Sequence, residues 1–547
     1  MAQEHAQHDF DYIVIGSGFG GSVSAMRLAE KGYKVLVIEK GKWLTAKDFP
    51  KTNWNLKKWL WLPALRFFGL FKLTYFRHVA VLSGVGVGGG SLVYANTLPI
   101  PKTKFFQAET WARLADWENE LAPFYQTALR MMGATINPRL EAGDLALQQL
   151  AKEIGKAEHF EPTNVAVYFG KPGVTESDPY FNGKGPDRTG CTFCGGCMLG
   201  CRHNAKNTLD KNYLYFVQQH GARIQAEAEV YEVIPIDQQN GATGYRVKWR
   251  SSTAGLTSPF MPLRRGIVGE YTCRGVVFAG GVMGTVKLLL KLKNTFLPNL
   301  SDKVGAGIRT NSESLIGVTT FDKQKNFSEG VAIGSILHTD EHSHLEPVRY
   351  SAGSGAWRLL MSPLVHGKHV LTRVVNMLVD LLTHPRENLK TFFVDDWSKR
   401  TQILLFMQTL NSTLRFSKGV FGMKSSMEAG PAPTAFLPEA KDLAERYAKI
   451  VNGKATVLAT ETLLGIPTTA HILGGATMGR DRSEGVIDKD NRVFGYESMY
   501  VCDGAMISSN PGVNPALTIM ALAERAMSKI AIKASLAQSV ICQKEPF

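Results

Sequence analysis

The 547-residue chain is poor in several things, and each absence excludes a class of protein. It has no run of 18 or more uncharged apolar residues, the length a bilayer-spanning helix requires. It has only seven cysteines, four of them crowded between Cys191 and Cys201, which excludes a disulfide scaffold. There is no fixed-period repeat and no low-complexity linker. Residues 1–10 lack the basic and apolar regions of a signal peptide, so with the clustered cysteines the expected compartment is the cytoplasm. Acid is scarce too: 48 Asp and Glu face 62 Lys and Arg, leaving +14. The rest is ordinary, with 44% hydrophobic and 20% charged residues and a length suited to two to four domains.

The positive surplus implies an anionic partner: nucleic acid, a membrane surface or an acidic substrate. It is unevenly spread. Between Lys42 and His78 eight basic residues face Asp48 alone, and Trp43, Trp54, Trp59 and Trp61 lie among them. Basic residues interleaved with Trp, Phe and Leu are the pattern of an interfacial membrane segment, although Pro63 interrupts any long helix. A buried lid packed on the core has the same pattern. No nucleic-acid recognition fold appears, which sets that partner aside. The expectation is peripheral docking on an anionic membrane, at its inner face.

The chain opens with a β-α-β unit: an apolar strand at 11–15, Gly16-x-Gly18-x-x-Gly21, a helix to Lys31, and a strand at 34–39 ending in Glu39. Glycines at these spacings permit a tight turn, a close approach to pyrophosphate and close helix packing, while a carboxylate at Glu39 suits a ribose diol. The motif does not choose between FAD and NAD. A second glycine-rich stretch follows at 84–96, a helix is expected over 111–132, and strands over 230–234 and 245–249. Further on come a strand into Gly280-Gly281 with a helix at 284–293, a helix over 370–382, and a final turn, strand and helix over 471–533.

These motifs in this order resemble the glucose-methanol-choline (GMC) oxidoreductases, and most closely their cholesterol oxidase branch. The matching residues are Gly16–Gly21 with Glu39, Gly84–Ser91, Ala279-Gly280-Gly281 before Gly284-Thr285, Arg309-Thr310-Asn311, and the tail His471–Pro515. The resemblance implies an α/β fold in which a Rossmann-like FAD-binding domain is interleaved with a substrate domain built on an antiparallel sheet. It implies FAD-binding parts at 1–130, 213–312 and 460–547, a substrate-side insertion at 131–212 holding the cysteines, and a substrate-binding domain at 313–459. Gly16, Gly18, Gly21, Glu39, Gly88, Gly90, Ser91, Asn96, Asp503 and Gly504 are then the expected cofactor contacts. The stretch 84–96 contains no histidine, so the FAD is expected to be non-covalent.

The family also places a His and an Asn beside the flavin, here His471 and Asn514. A histidine can take the hydroxyl proton near neutral pH, and an amide can fix the alcohol. Glu346 is a third candidate, as base or proton shuttle, with a solvated loop glutamate as its ordinary alternative. The expected reaction is oxidation of a secondary hydroxyl on a hydrophobic alcohol, a 3β-hydroxysteroid first, by hydride transfer to flavin N5, with O2 or another electron acceptor taking the electrons.

Cys191-x2-Cys194-x2-Cys197-x3-Cys201 has the spacing of bacterial iron–sulfur ligands, with Arg202 where proline is usual. Iron–sulfur, structural zinc, a dithiol and inert thiols all remain open. A cluster would favour the alternative function, a dehydrogenase of a sugar or other alcohol passing electrons to an external acceptor. A disulfide reductase would need a second GxGxxG, which is absent. A non-catalytic flavin-bearing lipid binder would not need both His471 and Asn514.

Overall fold

The computed structural model describes residues 8–253, 267–365, 367, 369–420 and 422–534. Two large sheets organise it. The first is a nucleotide-type sheet. Arg223–Gln225, Val35–Ile38, Phe10–Ile15, the second half of Val268–Phe278 and Met499–Val501 run parallel in that order. The first half of Val268–Phe278 continues into an antiparallel meander with Tyr245–Ser251 and Ala228–Pro235. Ile13, Val14, Leu36, Val37, Val276 and Val277 are fully or almost fully buried, as strands covered on both faces must be. The turn after the first strand needs glycine. Gly16 has φ +105°, and a Cβ there would lie 2.3 Å from Ala279 O.

The helix Phe19–Glu30 follows that turn and packs against Ala516–Ser528, which in turn packs on Trp117–Met131. This joins the two ends of the chain through an ion pair. Arg27 donates to both carboxylate oxygens of Glu524 at 2.6 and 2.9 Å, and Tyr213 OH donates to the same group at 2.8 Å.

The second sheet is entirely antiparallel. Its order is Met361–Pro363, Gly453–Leu458, Ser314–Thr320, Thr401–Gln408, Ser343–Val348, Ser335–His338 and Phe160–Pro162. Strand alternation divides its residues between two faces. Ile316, Val318, Leu345, Leu404 and Phe406 pack under the helices Ala142–Glu153 and Pro438–Ile450. Leu315, Gly317, Val348, Ile403 and Leu405 line a cavity on the other face.

The basic aromatic segment differs from its expected form. Its helix is a single turn, Leu56–Trp59, followed by short strands at Trp61–Leu62, Phe67–Phe68 and Phe71–Tyr75. Trp59, Trp61 and Phe71 are buried, with Trp59 stacked on Phe71 at 5.3 Å and edge-on to Trp357 at 5.4 Å. Phe49, Trp59, Trp61 and Phe71 therefore serve the core while Trp43 and Trp54 stay exposed, and burial pushes the Lys72 ammonium down to about 8. No helix among the described residues is long and apolar enough to cross a membrane.

Glu524→Ala leaves Arg27 with Glu30 alone, at 2.6 Å, and takes the acceptor from Tyr213 OH, and is expected to cost about 3 kcal/mol in denaturant unfolding. Removing the half-exposed Arg250–Glu229 pair (2.8 Å) should cost no more than about 1 kcal/mol. Equal losses would refute the ranking.

Candidate active site

A cavity of about 810 Å³ lies between the glycine turns of the parallel sheet and the apolar face of the antiparallel sheet. That volume is in the range of buried ligand sites. Of the residues expected from sequence, Gly16, Gly18, Glu39, Gly90, His471, Asp503, Gly504 and Asn514 line it. Gly21 sits inside the first helix, where a Cβ would lie 2.1 Å from Gly16 O, so it serves close packing. Gly88, Ser91 and Asn96 are not among the lining residues. Ser91 Oγ donates to Gly88 O at 2.7 Å and accepts from Leu209 N at 3.1 Å, which pins the second glycine turn from behind. Asn96 is fully buried with φ +71°.

The cavity suits a long dinucleotide. Gly18, Gly281 and Gly284 all line it, and a Cβ on any of them would meet no protein atom within 4 Å. Bare backbone thus borders open space at the N-termini of two helices, Phe19–Glu30 and Gly281–Lys293, where free N–H groups and the helix dipole stabilise phosphate. Glu39 is committed to holding the first turn. Its carboxylate accepts from Ser17 N (3.1 Å), Ser17 Oγ (2.8 Å) and Gly41 N (2.8 Å). Asp503 accepts from Thr285 Oγ1 and from Ala505 N at 2.8 Å, and burial pushes its carboxyl up to about 6. The residues present fit FAD.

His471 is held by a residue the motif reading missed. Glu313 is almost wholly buried and gathers four donors: His471 Nδ1 at 2.9 Å, His471 N at 3.1 Å, Ala470 N at 3.0 Å and Thr469 Oγ1 at 2.6 Å. Nε2 is the ring nitrogen left for the cavity. Burial works against the imidazolium, but the adjacent Glu313 carboxylate, helped by Glu346, outweighs it and holds the His471 pKa above the usual histidine value.

Asn514 is fixed by the turn before Ala516–Ser528. Asn311 Nδ2 donates to Val513 O at 3.0 Å, and Asn514 Nδ2 donates to Glu346 Oε2 at 3.3 Å. Glu346 is fully buried on the strand Ser343–Val348, so it is no solvated loop residue. Two residues back on the same face, His344 Nε2 lies 3.4 Å from Glu346 Oε1. A strand reading of 343–348 would have paired them, because residues i and i+2 share a face.

The four cysteines of the tract lie together. Cys191, Cys194, Cys197 and Cys201 border one separate cavity of about 20 Å³, room for about one water. All are free thiols, and among the described residues no group of three or more His, Cys, Asp or Glu is arranged to hold a metal. Burial pushes the Cys197 thiol up to about 11 and the Cys191 thiol higher still. The sequence spacing brings the four near one hole without assembling an iron–sulfur ligand set.

Comparisons with known proteins agree with this geometry. The family description GMC oxidoreductase fits residues 10–291 and again 408–523. The chain is 43% identical to a cholesterol oxidase of Acinetobacter baumannii, over 98% of this chain and 97% of that one. It is 42% identical to a cholesterol oxidase of Mycobacterium tuberculosis, over 95% and 91%. The solved structure of pyridoxine 4-oxidase from Mesorbium loti shares the fold, with a TM-score of 0.60 at 13% identity over 95% of this chain and 99% of that one.

Glu313→Gln removes the charge facing His471 Nδ1. Since that charge raises the histidine pKa, the variant's His471 should lose its proton at lower pH than the parent's. Ring ¹⁵N NMR and the acidic limb of the kcat/KM profile should both move that way. A titration unchanged in the variant would refute the coupling.

Proposed function

Because the chain belongs to the GMC oxidoreductase family, we propose that it oxidises the secondary hydroxyl of a 3β-hydroxysteroid. Membership makes it an FAD-dependent enzyme acting on CH–OH donors. FAD supplies the hydride acceptor when bound, and dioxygen is the proposed final acceptor. The observation that carries the substrate reading is the antiparallel wall of the cavity. Leu315, Ile333, Val348, Ile403 and Leu405 line it, with Trp357 and Met361, while His471 and Asn514 supply polar groups. A rigid apolar body carrying one hydroxyl matches that division. The cholesterol oxidase names of two similar proteins support it.

In this reading the glycine turns bind the pyrophosphate. His471, tied through Nδ1 to Glu313, takes the hydroxyl proton at Nε2, and its raised pKa makes it the stronger base. Asn514 is anchored through Nδ2, while its Oδ1 is buried without a protein partner and orients the alcohol. The apolar wall excludes water around the reacting carbon.

We place the membrane contact elsewhere than the sequence pattern did. The helix Val370–Thr383 is inverted. Leu371, Val375, Leu378, Val379 and Leu382 face outward, Leu371 and Leu382 about four-fifths exposed (79% and 80%). Two of its charged residues turn inward: Arg373 Nε donates to Thr462 O at 2.6 Å, and Asp380 pairs with Lys454 at 2.8 Å. The helix packs on Met361–Pro363 and Ala459–Leu464, which also carry or adjoin the cavity residues Met361 and Leu458. Leu359, Leu360, Leu463 and Leu464 extend the exposed apolar surface. The basic segment adjoins it, with Ala356 N donating to Asn53 Oδ1 at 3.0 Å and Lys51, Lys57 and Lys58 exposed nearby. An apolar face flanked by lysines and continuous with the cavity fits an anionic bilayer from which a lipid alcohol enters.

Two measurements test these readings. The FAD-loaded protein should convert a 3β-hydroxysteroid to its ketone with stoichiometric peroxide. His471→Ala should lower kcat/KM by about 10²–10⁴-fold while retaining FAD; full activity in that variant would remove His471 from the mechanism. Replacing Leu371, Leu378 and Leu382 together with serine should weaken cosedimentation with anionic vesicles by at least about 100-fold. Turnover of cyclodextrin-delivered sterol should stay at the parent level. Unaltered vesicle binding would reject this docking face.

A further inference from the structure

Four buried polar atoms without protein partners fall in sequence along one chain of neighbours: Asn514 Oδ1, Glu346 Oε1, His344 Nε2 and His338 Nδ1. Buried unpaired polar atoms are uncommon, and each costs about 1–3 kcal/mol unless a ligand, water or shared proton meets it. The spacing between these groups is short. Asn514 lies 3.3 Å from Glu346, and Glu346 Oε1 lies 3.4 Å from His344 Nε2. His344 and His338 are directly opposed on adjacent strands, with ring centroids 6.1 Å apart at 60°, a gap that one water spans. His338 Nε2 lies 3.5 Å from Glu161 Oε1 on the next strand.

Exposure rises outward along the same line. The side chains of Glu346 and His344 are 0% and 2% exposed, that of His338 is 27% and that of Glu161 is 64%. Three neighbouring strands thus carry titratable groups from the cavity rim to solvent.

We propose that Glu346, His344, His338 and Glu161 form a proton path between the reaction cavity and bulk water. It rests on the reading of Glu346 as part of the reaction site. Oxidation of CH–OH to C=O leaves a proton behind, and an apolar substrate filling the cavity blocks the direct aqueous exit. The proton that His471 Nε2 takes from the alcohol moves on to the Glu346 carboxylate, and from its Oε1 to His344 Nε2. The charged ring of His344 then releases one proton across the intervening water to His338 Nδ1. His338 gives its Nε2 proton to Glu161, which exchanges with solvent. Each group takes one proton and loses one, and no electrons move along the path. His338 is faced by Lys102, His344 and Glu161; burial first, then Lys102 and His344, hold its pKa below the usual value. It therefore spends most of its time neutral and able to accept.

The test uses the FAD-loaded full chain and His338→Gln, a change at the half-exposed end. Under anaerobic rapid mixing with a 3β-hydroxysteroid, the parent should release a proton to an indicator dye in step with flavin bleaching. The variant should bleach at the parent rate but release its proton at least about tenfold later, within the range that proton-transfer groups contribute. Synchronous release in the variant, or none in the parent, overturns the path. A second measurement needs no turnover: ring ¹⁵N titration of His344 should shift in both Glu346→Gln and His338→Gln, and an unmoved His344 also overturns it. If the sterol fails to bleach the parent, the substrate reading falls while the NMR arm still decides the path.

Discussion

One buried carboxylate ties the reaction end of the cavity together. Glu313 stands immediately before the strand Ser314–Thr320 of the antiparallel sheet, yet every donor it gathers comes from the segment Thr469–His471. A full negative charge with almost no solvent is tolerable only because four hydrogen bonds and a raised histidine pKa compensate it. That demand fixes the ring of His471 and docks the C-terminal part of the chain on the substrate sheet. Asn311, two residues earlier, repeats the arrangement by holding Val513 O. The proposed catalytic pair is thus positioned from the opposite sheet by residues only two apart.

The cavity follows from two unlike walls. On one side glycine backbone leaves N–H groups and space for phosphate and ribose. On the other, strand alternation turns Leu315, Val348, Ile403 and Leu405 inward while Ile316, Leu345, Leu404 and Phe406 support helices. Polarity at the junction comes from a few fixed groups. This separation of an anion-binding wall from an apolar wall is what an alcohol oxidation with a large hydrophobic donor requires.

Much of this was legible in the residue order because some positions leave no chemical choice. Gly16 must accept a positive φ and a backbone neighbour at 2.3 Å, and that need writes itself into the motif. The fold class and the family followed from such positions. Pairings across strands leave weaker marks: nothing near Glu313 in sequence announces Thr469–His471, some 156 residues away. Helix 370–383 was visible from its period, but period alone does not say which face points outward, and here Arg373 and Asp380 take the inside. The aromatic run at 42–78 left two readings open for a related reason, since Trp59 and Phe71 have the same composition in a lid core as in an interfacial segment. The cysteine spacing matched a ligand pattern, yet among the described residues no three such groups stand in a metal-holding arrangement.

The joining of the chain's two ends has a consequence for biosynthesis. The helix Phe19–Glu30 is made long before its cover, Ala516–Ser528, and before the last parallel strand, Met499–Val501. Throughout translation the apolar face of the first helix and one edge of Val268–Phe278 wait uncovered. The nucleotide sheet therefore cannot close until synthesis has passed residue 528, and a product stalled before that point exposes a sticky, half-built sheet instead of a folded domain.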